Sequence, residues 1–292
     1  MTIELVIDSK STLGEGPSWD EKEKVLYWVD ILQKKFYQYN PISKENKEVV
    51  VEQLVGAIAP KKDGGIILAL QNGLYSYDFQ QNMLKEIHNP EAHLPDNRFN
   101  DGKCDPAGRF WVGTMDIDAK KGAGSLYLLD QKYRISKKLE NLTISNGITW
   151  SPDNRFMYFI DTPTRQVVRY DYDLLSGEIK DPKVVITLKE GTGDPDGMTI
   201  DQDGMLWVAQ WGGYGISRWD PNQGKQIDFI NVPAANVTSC SFGGEKLNDL
   251  YITTARIGTS EEDLEKYPHA GGLFKLKTNI NGGATYQFNG EE

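Results

Sequence analysis

Polar and apolar positions repeat along this chain on two scales. On the short scale, brief segments alternate apolar and polar with a period of two, or run wholly apolar, as half-buried and fully buried strands do. On the long scale, a polar turn followed by an apolar, aromatic-rich strand recurs six times. The strands cover residues 25–29, 66–70, 109–113, 156–160, 205–209 and 249–253. Turns such as Asp63-Gly64-Gly65, Asp105-Pro106-Ala107-Gly108 and Asp201-Gln202-Asp203-Gly204 precede them. Successive copies lie about 40–49 residues apart, the length of a four-stranded propeller blade.

Each copy continues into an alternating third strand, at residues 35–39, 73–77, 125–129, 167–171, 215–219 and 272–276. Turn pieces such as Leu175-Ser176-Gly177 lead on to a fourth, outer strand. Helical periodicity is confined to residues 260–266, where a serine cap and first-turn acids predict a short helix on a loop. Six four-stranded repeats with so little helix predict an all-β fold, a six-bladed β-propeller forming a single domain over residues 1–292. A pair of β-sandwiches would accommodate the strands but leaves the repeat unexplained. A ring has to close, because an unpaired blade edge invites aggregation. The N-terminal strand at residues 3–7 is the expected donor to the last blade.

Composition narrows the partners. The chain has 292 residues, 39% of them hydrophobic and seven of them tryptophan, enough for a substantial core. Its 42 acidic and 32 basic residues leave a net charge of −10, which speaks against gripping a nucleic-acid backbone. The N-terminal stretch carries acids inside a short apolar run, unlike a signal peptide. No apolar run approaches the roughly 20 residues of a membrane-spanning helix. Cys104 and Cys240 lie in different repeats and form no disulfide framework. The expectation is a cytoplasmic protein with neither nucleic-acid nor membrane partners.

Candidate chemistry sits at the first strand of each repeat, which in a propeller lines the central channel. These strands begin at Gly14-Glu15-Gly16, Val55-Gly56-Ala57, Asn100-Asp101-Gly102, Ser145-Asn146-Gly147, Pro195-Asp196-Gly197 and Thr238-Ser239-Cys240. Singly, Asp-Gly and Asn-Gly are ordinary turn dipeptides. Their common phase says more: ring closure brings Glu15, Asn100 or Asp101, Asn146 and Asp196 to one point. Carboxylates facing one axis repel unless a cation or proton sits among them. Oxygen donors without thiolate or imidazole suit a hard cation such as Ca²⁺, Mg²⁺ or Mn²⁺. A metal-dependent active site at the hub is therefore expected.

The phased motifs read GEGPSW from residue 14, NRFNDGKCDPAGRFWVGTM from 97, SNGITWS from 145, PDGMTID from 195 and TSCSFGG from 238. In this order, and over essentially the whole chain, they resemble the SMP-30/gluconolactonase/luciferin-regenerating-enzyme family, which includes regucalcin. The resemblance implies that Glu15, Asn146 and Asp196 hold one divalent cation, Ca²⁺ first, with Zn²⁺, Mg²⁺ or Mn²⁺ as alternatives. Arg98 and Asn100 match substrate-contacting positions, with Asn100 beside the cation. The family's acidic substrate contact falls on Asp118, with Asp116 as the competing choice two residues away. Residues 118–124 match a lid over the channel and are short here.

The activity implied by the resemblance is hydrolysis of a small-molecule sugar lactone to its acid. The cation would polarise the carbonyl and activate water. Asp196 would serve as ligand and as the base for the water's proton, while Arg98 and Asn100 hold sugar hydroxyls in a wet mouth. A calcium-binding regulatory protein of the regucalcin type is the second reading. A propeller hydrolase of other esters or phosphoesters and a scaffold for protein partners are further ones.

Other candidates carry less. His88, His93 and His269 stand at no strand start and are expected on surface loops. No G-x-S-x-G is present to form a serine-hydrolase elbow. Cys240 reads as a small packed residue, since nothing basic adjoins it. Asp101 is either a second channel acid or the cap of the following turn. Trp28, Trp111 and Trp207 are expected between blades. Trp211 and Tyr214 could reach the channel mouth or pack in the core.

Overall fold

In a computed structural model that describes residues 2–290, the chain forms six four-stranded antiparallel sheets arranged in a ring. Strand β1 (Ile3–Ile7) stands apart from the first blade. Blade one is β2 (Gly14–Asp20), β3 (Val25–Asp30), β4 (Lys35–Tyr39) and β5 (Asn46–Val50). Blade two is β6 (Val55–Pro60), β7 (Ile66–Leu70), β8 (Gly73–Asp78) and β9 (Met83–His88). Blade three is β10 (Asn97–Cys104), β11 (Phe110–Asp116), β12 (Gly124–Leu129) and β13 (Ile135–Leu142). Blade four is β14 (Ser145–Trp150), β15 (Phe156–Asp161), β16 (Gln166–Tyr172) and β17 (Ile179–Thr187). Blade five is β18 (Asp194–Ile200), β19 (Leu206–Trp211), β20 (Gly215–Asp220) and β21 (Lys225–Asn231). Blade six is β22 (Asn236–Gly243), β23 (Asp249–Ala255), β24 (Leu273–Lys277) and, as its outermost strand, β1. Ile3 pairs with Leu276 and Leu5 with Phe274, so the expected closure by the N-terminal strand holds. The expected short helix is α1 (Glu261–Lys266), capped by the Ser260 hydroxyl, which accepts from the Asp263 N–H at 3.1 Å.

Blades pack face to face because alternate side chains of a strand leave its two faces. In β3, Val25, Tyr27 and Val29 join the core shared with blade two. Leu26 and Trp28 join the core shared with blade six. Four further apolar clusters fill the remaining interfaces. The tryptophans fall where expected: Trp28 stacks on Tyr37 with centroids 4.0 Å apart, Trp111 meets Trp150, and Trp207 meets Phe242 edge-on. Each is essentially inaccessible to solvent.

The turn aspartates do more than turn the chain. The Asp105 carboxylate accepts from the backbone N–H groups of Ala107 and Arg109. It also accepts from Arg109 Nε at 2.6 Å, Trp111 Nε1 at 2.9 Å and the Tyr172 hydroxyl at 2.8 Å. Asp201 repeats the arrangement with Trp207 and Arg218. Burying an indole N–H is costly unless it is paired, and these carboxylates pair it.

After β24 the chain runs across the rear of the ring, a course that no local pattern in the sequence predicts. Gly283 N–H donates to Ile200 O in blade five, Gln287 Nε2 to Asp20 in blade one, and Asn289 N–H to Gly108 O in blade three. Phe288 is buried in the core between blades two and three. Only about 40 Å³ of space remains behind this segment, bordered by Lys103, Thr149, Thr199 and Ser241.

Asp105 and Arg109 share the i,i+4 spacing of Asp130 and Arg134, but the first pair is buried and the second exposed. Asp105→Ala strands a buried guanidinium and should cost about 3–5 kcal/mol in urea unfolding. Asp130→Ala should cost about 1 kcal/mol or less.

Candidate functional site

Every inner strand carries one extra residue at the same point. The register with its partner shifts between Glu15 and Ser18, Val55 and Ala57, Phe99 and Gly102, Asn146 and Ile148, Pro195 and Met198, and Val237 and Ser239. A bulge breaks strict alternation, bends the strand and re-aims a side chain. The polar-residue-plus-glycine motif of the sequence is this bulge. Its glycines answer to close approach: a Cβ on Gly147 would lie 2.7 Å from the Asp196 carbonyl oxygen, and one on Gly56 would lie 2.3 Å from Phe99 O.

The bulges bring Glu15, Arg98, Asn100, Asn146 and Asp196 to the floor of one cavity of about 280 Å³. All five are nearly buried. Asp101, on the same bulge as Asn100, is buried beside the floor, where its carboxylate accepts from Gly102 N–H at 2.8 Å. The walls are Leu13, Met115, Ile144 and Trp211, with Thr162 and Asp194. Leu13 and Ile144 immediately precede inner strands, and Trp211 ends β19. The mouth is thus apolar-walled, against the expectation of a wet one, and Trp211 belongs to it. Tyr214 instead stands outside, donating to Asp263 and packing on Tyr267.

Asp118 is not brought to the cavity. It is exposed in the turn after β11, and its N–H is held by the Asp116 carboxylate at 2.9 Å. Asp116 is occupied by that bond and by Lys120 at 3.1 Å. Neither acid lines the cavity; Met115 is the wall residue from this strand. The three histidines are exposed, as expected, although His88 ends strand β9 and does not sit on a loop. Both cysteines are unpaired and buried; contrary to expectation a base, Lys103, lies near Cys240, but burial outweighs its charge and pushes the thiol up to about 12.

Hydrogen-bond polarity across the floor is fully determined. Arg98 Nη1 donates to Phe99 O at 3.0 Å and to Asn100 Oδ1 at 2.7 Å. Asn100 Nδ2 spends its two hydrogens on Ser145 O at 2.8 Å and Asn146 Oδ1 at 3.1 Å. Asn146 Nδ2 donates to the Thr162 hydroxyl at 2.8 Å, which donates to Pro195 O at 2.8 Å. A guanidinium can only donate and a carbonyl can only accept, so both amides have one permitted orientation. Thr162 was not anticipated from the sequence.

Glu15 and Asp196 perturb one another. Burial and then the charge of Asp101 push the Glu15 carboxyl up to about 8, against the Gly16 N–H, Arg98 and a side-chain hydrogen bond with Asp196, which lower it. Burial and the Glu15 charge raise Asp196 well above the usual carboxylate range. Arg98 is brought down to about 10 by burial, opposed by the charges of Glu15 and Asp196. It stays cationic at neutral pH. Asp196 Oδ1 is buried without a hydrogen-bond partner among the described residues, an expensive arrangement unless something completes it. Glu15, Asp196 and the Asn146 oxygen form a two-carboxylate, one-carboxamide set suited to a hard cation. No cluster of three or more His, Cys, Asp or Glu placed to hold an ion occurs among the described residues.

These features define a class: a six-bladed propeller with an acid-lined, one-sided hub. The sequence profile of the SMP-30/Gluconolactonase/LRE-like region matches residues 13–256, and the chain belongs to this family. It is 40% identical, over the full length of both chains, to a Bacillus subtilis protein named as a candidate sugar lactone lactonase. Among solved structures it resembles luciferin-regenerating enzyme at 33% identity, covering 98% of each chain with a TM-score of 0.92. It also resembles a calcium-binding protein, regucalcin, of Agrobacterium tumefaciens, at 29% identity over 97% of this chain and 96% of that one, TM-score 0.93.

Gly147→Ala would force a methyl against Asp196 O, Ile160 and Met198. Overpacking of this kind should cost about 1–3 kcal/mol, read as a lowered urea midpoint with the blade fold retained.

Proposed function

We propose that this protein hydrolyses a sugar lactone, an aldonolactone, to the corresponding acid at the hub, with one divalent cation held by Glu15, Asn146 and Asp196. The observation that carries the reading is Asp196 Oδ1, buried without a hydrogen-bond partner among the described residues, on a carboxyl hydrogen-bonded to the raised Glu15 and beside an amide oxygen of fixed orientation. A divalent cation in that place supplies Lewis acidity for a carbonyl and lowers the pKa of a water. The relatives named for lactone hydrolysis and for calcium binding support the same reading.

The chain's own groups have distinct tasks. Arg98 commits Nη1 to the protein, leaving Nε and Nη2 to hold a substrate oxygen from a buried, permanently charged position. Asn100, with both amide hydrogens spent, can accept from a substrate hydroxyl but not donate to one. Leu13, Met115, Ile144 and Trp211 give the C–H face of a ring an apolar wall and exclude bulk water, which strengthens every charge interaction below. Water's oxygen bonds to the carbonyl carbon, and the ring C–O bond breaks. Asp196 takes a proton from the water and returns it to the departing ring oxygen. The oxyanion formed on the way is stabilised by Arg98.

Asp196→Ala should abolish both turnover and cation uptake while leaving the fold intact. The check is a proton-release assay over a panel of lactones, repeated after chelation and with Ca²⁺, Zn²⁺, Mg²⁺ or Mn²⁺ restored. Tight Ca²⁺ binding without turnover of any lactone would favour the calcium-binding regulatory reading instead.

Protons and cation compete for the same oxygens. With Glu15 raised to about 8, the cation-free pair holds a proton at neutral pH and must release it on binding. Calorimetry in buffers of different ionisation enthalpy should show proton release at pH 7, and affinity should climb as pH rises towards 8. Binding enthalpies that do not depend on the buffer would contradict this.

A further inference from the structure

The Thr162 hydroxyl is engaged on both sides in the cavity wall. Its one hydrogen goes to Pro195 O at 2.8 Å, so towards Asn146 Nδ2, also at 2.8 Å, it can only accept. That holds the Asn146 nitrogen towards Thr162 and its oxygen towards Asn100. A flipped amide would set two acceptors face to face and its nitrogen against the Asn100 donor. The bonds run in one direction, from Arg98 through Asn100, Asn146 and Thr162 to Pro195, across blades three, four and five.

The fold does not need this hydroxyl. Thr162 is the residue that comes directly after the second strand of its blade, and Ile31, Gln71 and Ile117 hold the same place in blades one, two and three. At all four positions the backbone N–H makes the equivalent bond. Ile31 donates to Leu13 O at 3.0 Å, Gln71 to Leu54 O at 2.8 Å, Ile117 to Asp96 O at 2.8 Å and Thr162 to Ile144 O at 3.1 Å. Two isoleucines serve the architecture as well as a threonine does. The hydroxyl occurs in the copy whose inner strand carries Asn146, and its other bond reaches the residue next to Asp196.

We infer that Thr162 is a positioning residue for the hub: it sets the polarity of the Asn146 carboxamide and ties β18 beside Asp196, so that both oxygens face the cation. The inference rests on the proposed cation-dependent lactonase reading. With its hydrogen committed, Thr162 is no donor to substrate, and its effect is exerted through the two ligands.

Thr162→Val keeps the shape and removes the hydroxyl, and Thr162→Ser restores it. Two readouts are taken on the full chain: hydrogen exchange of the Asn146 side-chain amide in protein labelled with ¹⁵N-asparagine, and the Kd for calcium chloride by calorimetry. Thr162→Val should speed the amide exchange and raise the Kd about 10–100-fold, as loss of a ligand's supporting bond does, while Thr162→Ser stays within about threefold of wild type. If Thr162→Val does not fold, Thr162→Ala carries the same comparison. A wild-type Kd and unchanged amide exchange in the folded hydroxyl-less variant overturn the inference. Wild-type protein that takes up no divalent cation overturns the lactonase reading instead, and the amide readout still decides whether Thr162 sets the polarity of Asn146.

Discussion

The hub depends on one geometric constraint, the single extra residue inserted at the same register of all six inner strands. An unbroken strand sends alternate side chains towards the two neighbouring blades. The bulge interrupts that alternation where the strand enters the ring and turns one side chain towards the axis. Six interlocking apolar cores hold the blades in position, so the aimed side chains have little freedom to diverge. In blades two and six the extra residue is Gly56 or Thr238 and no acid accompanies it. The chemistry is therefore drawn from blades one, three, four and five, off-centre in a ring whose architecture is nearly symmetric.

Charge balance at this point is tight. Glu15, Asp101 and Asp196 supply three buried carboxylates, and the buried Arg98 and half-buried Lys103 supply two bases, so full ionisation leaves one negative charge uncompensated. Burial raises all three carboxyl pKa values, and at Glu15 and Asp196 the neighbouring carboxylates raise them further, so that the excess does not persist as charge. Lys103 is anchored by donating to Met198 O at 2.8 Å and is not drawn up to the cavity floor. A positive charge placed at the hub would relieve that excess, and the polarity of the amides fixes which of their atoms can accept.

Much of the architecture was legible in the sequence because its signals are local and periodic. The alternation in β4 or β24, the turn aspartates and the phase of Glu15, Asn146 and Asp196 each need only a short window and a repeat length. The features that escaped are those that depend on where distant segments meet. Asp118 lies in the expected stretch, but the β11 strand ends with Met115 towards the cavity and Asp116 tied to Lys120. The apolar mouth is assembled from single residues next to strand ends, Leu13, Ile144 and Trp211, which in sequence look like ordinary flanking hydrophobics. Thr162 left a faint trace: a polar residue where blades one and three place isoleucine. The C-terminal course left another in Tyr286 and Phe288, apolar residues beyond the last strand with nothing local to pack against.

That C-terminal course decides how molecules travel. A ring of blades is by default a tunnel, but the strap from Gly283 to Asn289 is stitched to blades one, two, three and five and bars the far end. The hub is a cul-de-sac. Whatever arrives at the acids has to depart past the same Trp211 and Met115 that it met on arrival, so occupancy by one guest and exit of the last are mutually exclusive events.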